Sequence, residues 1–396
     1  MKNSLHTIIQ QRSEELFAKV KTYREHMHRF PELSYAEHET MTYVVKQLTA
    51  LNIPFTANVA ETGITAIIRG DHHSETDSCF GLRSELDALP IQELNEVPYC
   101  STKEGIMHAC GHDVHTAILL GAAELLFELR NELPHPVKLF FQPGEEKNPG
   151  GASLMIADGA LKNPDVHAMT ALHVFPEMET GKLGFKTGLY MASCDEIYIT
   201  INGKGGHGAT PHQTIDPIMI GAQLLVGLQQ IVSRNCDPKI PCVLSFGHFE
   251  ALGATNVIPE KAHLKGTFRT MDEAWRAKAW ELIESHVQHV CAQFGATADL
   301  TISKGYPFLE NDPELTMAVR TIAETHFGEE NIETLPIRLT SEDFSYYAQE
   351  IPVCFFRLGV RNEAKGIVHG VHHPRFNIDD RALVVGVQAM TLAPFS

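Results

Sequence analysis

The sequence predicts an α/β protein: a three-layer domain of sheet and helices, interrupted by a smaller α+β domain of βαββαβ order. Three observations carry this. Short apolar runs bounded by Gly, Pro and acidic residues alternate with helically periodic segments up to about residue 174, and the alternation resumes after Pro307. Between about residues 190 and 305 the order of elements changes. Residues able to do chemistry stand at the ends of the predicted strands, where open α/β sheets bind their ligands. The expected boundaries are 1–189 and 306–396 for the two parts of the larger, discontinuous domain and 190–305 for the insertion.

Taken in order, residues from about 5 to 30 carry apolar positions at helical spacing, and Ser34-x-x-Glu37 has the pattern of a capping box opening a helix to about Leu51. Gly63 to Arg69 and Cys79 to Arg83 predict strands, the second leading into Glu85, Asp87 and Pro90. The stretch TAILLGAAELLFEL, within about Val114 to Leu129, predicts a strongly apolar helix. Pro134 and Pro136 then lead into a strand from Val137 to Gln142, which stops at Pro143-Gly144-Glu145-Glu146. A helix near 151–161 and a strand from His167 to Val174, with His173 at its end, complete the first part of a mainly parallel sheet.

Glycines between Gly181 and Gly188 break the pattern and are hinge material. The insertion predicts a strand (Glu196 to Ile201), a helix (about 215–233), strands from Cys242 to Phe249 and Ala262 to Thr270, a helix (about 272–294) and a strand (about 297–303). After it come a helix near 313–327, the segment Ser341 to Tyr347, a strand from Val353 to Val360 and a closing helix from about Asp379.

Composition narrows the function. A chain of 396 residues with a formal charge of −17 repels nucleic acid and anionic membrane surfaces, so neither is expected as a partner. MKNSLHTIIQQRSEELF lacks the basic start and unbroken apolar core of a signal peptide, and no later segment is apolar enough to span a bilayer, so the expected location is the cytoplasm. Eight scattered cysteines without a CxxC pair read as reduced. The unusual count is 22 histidines, several of them beside acidic or Cys residues.

Met107-His108-Ala109-Cys110-Gly111-His112-Asp113-Val114-His115-Thr116 packs a thiol, three imidazoles and a carboxylate into ten residues, and Cys110 with His112 reads as half a metal site. Glu145-Glu146, directly after a strand, offers one carboxylate to a metal and one to a water. His173 and His372 are candidate ligands from distant segments. Cys110, His112, Glu146, His173 and His372 together would supply a two-metal site with positions open for water, an arrangement used for assisted hydrolysis. Cys110 and His112 as nucleophile and base is the competing reading, with poor geometry at that spacing and no use for the other four residues. Gly203-Lys204-Gly205-Gly206-His207-Gly208 matches a dinucleotide fingerprint in form only, because no Asp or Glu lies between 217 and 236 to hold a ribose.

The motifs HRFPEL, RSELDALPI, MHACGHDVHTA, FQPGEE, ALHV, GKGGHGATPH, TNVIPE, SEDFSYY and VHHPRF, in this order, resemble the zinc-peptidase-related amidohydrolases, which include hippurate hydrolases, N-acyl-amino-acid deacylases and indoleacetyl-amino-acid hydrolases. The resemblance runs from about His28 to Phe376. It implies a catalytic domain holding two divalent ions (Zn, Mn, Co or Ni) and an inserted lid that also forms a homodimer interface. It also implies Cys110, His112, Glu146, His173 and His372 as metal ligands, Glu145 as general base, His207 as a lid histidine reaching the active site, and Asn256 and Arg269 as substrate-facing lid residues. Its reaction would be cleavage of a small N-acyl amino acid to a carboxylic acid and an amino acid. A dipeptidase or carboxypeptidase with the same metals, and a non-catalytic metal-binding or regulatory relative, are the alternatives. Two departures stand out: Glu85 replaces the usual shorter carboxylate of Arg-Ala-Asp-x-Asp-Ala, and His373 doubles the histidine in the last motif.

Overall fold

The computed structural model describes residues 2–396, and the chain divides into two compact units. One runs to Tyr190 and takes up again at Glu310–Ile337 and Asp343–Ser396; the other comprises Met191–Leu309 and Arg338–Glu342.

The larger unit opens with α1 (Lys2–Arg29), whose buried positions Ile9, Leu16, Val20, Tyr23 and Met27 recur at intervals of three, four and seven along one face. The second helix, α2, spans His38–Ala50. It starts later than the capping-box pattern predicts. Glu37 is the N-cap residue without a side-chain cap bond, and Ser34 and Glu37 spend their side chains on distant groups: Ser34 donates to Asp87, while Glu37 accepts from Thr62 and from the Gly144 amide. Long-range hydrogen bonds outcompete the local cap.

Strands β1 (Phe55–Val59), β2 (Gly63–Ile68), β3 (Cys79–Glu85), β4 (Val137–Gln142), β5 (Val166–Glu179) and β6 (Leu183–Phe185) join the strands Val353–Arg361 and Ile332–Thr334 in one eight-stranded sheet. Its order is β1, β2, β4, β3, β5, Val353–Arg361, β6, Ile332–Thr334. The parallel pairings expected from the sequence predominate narrowly, with antiparallel ones beside them. Four pairings are parallel (β3 with β4, β3 with β5, β5 with Val353–Arg361, β6 with Ile332–Thr334) and three antiparallel. The parallel core is the part covered by crossover helices. Strand β1 escaped the sequence pattern because it is a half-exposed edge with a register shift between Ala57 and Val59. Strand β5 also runs past its expected end at Val174, because Val353–Arg361 continues to pair with it as far as Glu179.

Helix α3 (His112–Glu128) is buried around nearly its whole circumference, and it packs against β3, α1 and the closing helix Arg381–Leu392. Helix α4 is shorter than expected, at Gly151–Ala157, and the closing helix starts at Arg381 because the Asp379 carboxylate accepts from the Arg381 amide ahead of it. Among the described residues no helix is long and apolar enough to cross a membrane.

The smaller unit has a core of its own, built on Ile197, Ile199 and Ile201 of Asp195–Asn202, with Leu224, Leu264 and Ile283 from its neighbours. Their strict alternation with Glu196 and Tyr198 is the period-two signature of a half-buried strand. Its four-stranded sheet has the order Cys242–Glu250, Lys261–Thr270, Asp195–Asn202, Thr297–Lys304, all antiparallel, and helices Pro217–Gln230 and Glu273–Gln293 pack on each other.

Candidate metal centre

The site forms where the central parallel strands stop. Strand β3 ends at Glu85, which pairs with the last residue of β4, Gln142. On β5, His173 lies two residues beyond Ala171, the partner of Arg83, so it stands level with that edge although its own strand continues. Helix α3 begins here through Gly111, whose φ of +88° lets the chain turn between Cys110 and His112. A Cβ on Gly111 would come within 2.6 Å of the Val174 side chain.

Each imidazole is oriented from behind. His112 Nδ1 donates to Asp87, whose backbone oxygen is at 2.8 Å and Oδ1 at 3.1 Å, which turns Nε2 toward the site. His173 Nδ1 donates to Val174 O at 2.7 Å, and its Nε2 lies 3.4 Å from Cys110 Sγ. His372 Nε2 is 3.4 Å from Glu146 Oε1. The His372 backbone, at φ +63°, is anchored by its amide donating to Ala109 O at 2.7 Å.

Donor atoms of Cys110, His112 and His173 lie within 4.8 Å of one another, as do those of Cys110, Glu146 and His372, and those of His112, Glu145 and Glu146. Groups sharing Cys110 and His112 in this way suit two adjacent cations. Two atoms in the cluster, His112 Nε2 and Glu146 Oε1, are buried without a hydrogen-bond partner, a costly state that a bound cation relieves. A thiolate, carboxylates and imidazoles also form the right chemical set for divalent transition metals, so the residues fit such ions.

The electrostatics point the same way. Burial, with the Glu146 and Glu145 carboxylates next, pushes the Cys110 thiol well above its usual range. His112 is opposed by burial, yet the Asp87 hydrogen bond and the charges of Glu85, Asp87 and Glu146 hold it up at about 10. Burial, followed by Arg357 and His115, keeps His173 well below its usual value. The pocket is thus short of positive charge where the donors converge.

The structure brings together every ligand candidate and Glu145, itself buried, with Oε1 accepting from the Asp343 amide at 3.4 Å. Of the two adjacent histidines, His372 faces the cluster. His373 stacks on His369 with ring centroids 4.2 Å apart and accepts from the Arg375 amide. Glu85 is held by Arg83 and by His115 Nδ1 at 2.8 Å, while His115 Nε2 accepts from the Val174 amide at 3.0 Å. His115 therefore has no nitrogen left for a metal. Asp87 is the functional residue that sequence reasoning left without a role: it orients His112 and also accepts from the Glu146 amide at 3.0 Å and the Ser34 hydroxyl at 2.7 Å. Its position at a strand end, beside Glu85, was the available signal.

His207, Asn256 and Arg269 belong to the smaller unit. His207 is exposed on a two-residue strand paired with Val257–Ile258, and the Gly208 amide donates to Asn256 O at 2.8 Å, so His207 and Asn256 share one ribbon. Arg269, on Lys261–Thr270, donates to Leu339 O at 3.1 Å and Ser341 Oγ at 3.3 Å. The next full α-helix starts only at Pro217, so the glycine loop does not open onto a helix as a dinucleotide turn would.

Known proteins share this architecture. An N-acetyl-L-cysteine deacetylase of Bacillus subtilis is 38% identical over 361 residues, covering 91% of this chain and 84% of the relative. Thermostable carboxypeptidase 2 of Saccharolobus solfataricus is 37% identical over 372 residues, 93% of each chain. The crystal structure of the Bacillus subtilis YXEP protein, described as a dinuclear metal binding peptidase, is 31% identical with a TM-score of 0.79, covering 96% of this chain and 98% of that one. Residues 81–394 match the profile of Peptidase family M20/M25/M40. The chain belongs to that family and is a metal-dependent hydrolase.

Proposed function

We propose that the protein hydrolyses the amide bond of small N-acyl amino acids, such as N-acetyl or N-benzoyl derivatives, releasing a carboxylic acid and an amino acid. The observation that carries this is the placement of Glu145, a buried carboxylate grouped with His112 and Glu146 inside the donor cluster. Relatives named for N-acetyl-L-cysteine and N-acyl-L-amino acid substrates support the choice of acyl substrate. Cys110, His112, Glu146, His173 and His372 would hold two divalent ions (Zn, Mn, Co or Ni), which supply Lewis acidity that acidifies water and polarises a carbonyl.

In this reading Glu145 accepts a proton from water as its oxygen adds to the amide carbon. A nitrogen–hydrogen of His207 donates to the developing oxyanion. Glu145 then returns the proton to the leaving nitrogen as the carbon–nitrogen bond breaks, so a neutral amine departs. The Met191–Leu309 unit acts as lid and homodimer interface, Asn256 and Arg269 face the substrate, and the enzyme works in the cytoplasm.

The test is Glu145→Gln. The variant is expected to retain its metal by elemental analysis and to lose at least about 100-fold in kcat on N-acetyl or N-benzoyl amino acids. Near-normal turnover would remove Glu145 from the base role. Carboxypeptidase relatives favour a second reading, peptide hydrolysis by the same residues. Rates on dipeptides measured beside the N-acyl amino acids separate the two, and faster dipeptide cleavage would overturn the acyl substrate class.

A further inference from the structure

We infer that the Ser34–Glu37 turn is a clamp whose function is to position Glu145, with Tyr35 and Glu37 as positioning residues; this rests on the base role proposed for Glu145. The two carboxylates sit in the segment Pro143–Gly150, which lacks regular secondary structure and takes hydrogen bonds from this turn on both sides of Glu145.

Before Glu145, Glu37 Oε1 accepts from the Gly144 amide at 2.8 Å, and its other oxygen is fixed by the Thr62 hydroxyl at 2.6 Å. After it, Ser34 donates to the same Asp87 oxygen that accepts from the Glu146 amide. Farther along, the Tyr35 hydroxyl donates to Lys147 O at 2.6 Å and accepts from the Gly150 amide at 3.0 Å. The Tyr35 ring covers Gly144 so closely that a Cβ there would lie 2.2 Å from it. Backbone atoms on both sides of Glu145 are thus tied to residues 34–37. The turn is itself pinned, since the Ala88 amide donates to Glu32 O at 2.7 Å.

The backbone of Tyr35 supplies a second, independent argument. The turn is closed by the Ala36 amide donating to Leu33 O at 2.9 Å, and Tyr35, at its third position, has φ +66°. Gly or Asn takes that conformation with less strain. Strain of this kind persists where the surrounding structure enforces it and a side chain is needed there. What Tyr35 contributes that Gly cannot is the ring over Gly144 and the hydroxyl inside the Lys147–Gly150 turn. Burial pushes the phenol up to about 12, so it remains a donor throughout the neutral range.

The experiment uses Tyr35→Phe, which keeps the ring and removes the hydroxyl bonds, and Glu37→Gln, which leaves one of two donors unmatched. On an N-acyl amino acid or dipeptide turned over by the wild type and not by Glu145→Gln, each variant is expected to lose about 10- to 100-fold in kcat with KM within about twofold. Metal content and melting temperature stay near wild type. Amide hydrogen exchange on metal-free protein gives a readout independent of turnover: exchange in residues 143–150 accelerates in Tyr35→Phe while α3 and β3 stay protected. A kcat within about twofold of wild type, or a loss confined to KM, overturns the inference. Unchanged exchange in 143–150 overturns it as well. If the wild type cleaves none of the substrates, the functional reading fails, and exchange alone decides whether the turn holds the segment.

Discussion

Asp87 settles which nitrogen of His112 faces the donor cluster. Two acceptors on one residue, the backbone oxygen and Oδ1, hold Nδ1–H, so Nε2 is left buried without a hydrogen-bond partner. The same logic separates the doubled histidines near the C-terminus, whose spacing in sequence is ambiguous. His372 is 3.4 Å from Glu146, whereas His373 has its ring on His369. Replacing His372 by Ala is expected to cost at least about tenfold in affinity for one of the two ions, and His373→Ala to leave metal stoichiometry at the wild-type value. Isothermal titration of the two variants with zinc or manganese reads the difference, and equal losses would contradict the orientation described here. The motif assigned His372; its approach to Glu146 follows from the left-handed His372 backbone and its bond to Ala109, which no local pattern announces.

At the scale of elements, α1 and α3 are tied by buried charge as well as by apolar contact. Arg24 and His28 of α1 both reach Asp113 on α3, at 2.9 and 2.8 Å, and His28 Nε2 reaches Glu93 at 3.1 Å. Burial opposes ionisation of Glu93, but its bonds from His28, the Ser101 amide and Asn95 bring its carboxyl from 4.5 down to about 2. Between those values the unfolded chain binds the proton that the folded chain refuses, so Glu93 contributes stability above about pH 4.5 and loses it as pH falls toward about 2. His28, raised by Asp113 and Glu93 against its burial, works in the opposite sense: its contribution is complete below its unfolded pKa and fades as pH rises through the folded one. Glu93→Gln is expected to lower the urea midpoint at pH 6, with the gap to wild type narrowing as pH drops below 4.5. A gap that stays constant with pH would show that the carboxylate charge is not what matters. Helix α3 was legible in sequence as an apolar run. The ion pairs of Asp113 were not, because Arg24 and His28 lie 89 and 85 residues from it in the chain.

For the whole molecule, the two compact units each enclose a core of their own. The second unit also carries His207, exposed on its two-residue strand. If His207 acts across a dimer, mixing His207→Ala subunits with Glu145→Gln subunits restores turnover that neither parent has. Hybrids as inactive as the parents would assign His207 to its own chain.

The sequence by itself determined the chemistry available and most of the elements. The thiol, imidazoles and carboxylates are local in MHACGHDVHTA and QPGEE, and helical or alternating periodicity is a property of short windows. Only the tertiary structure decided how these parts are used. It moved the start of α2 past its capping-box signal and gave Ser34, Tyr35 and Glu37 to the segment bearing Glu145. It also gave both nitrogens of His115 to protein groups, Glu85 and the Val174 amide. The physical reason is the same each time: a hydrogen bond or a buried charge is satisfied by whichever partner the fold brings near, and sequence distance does not enter that choice.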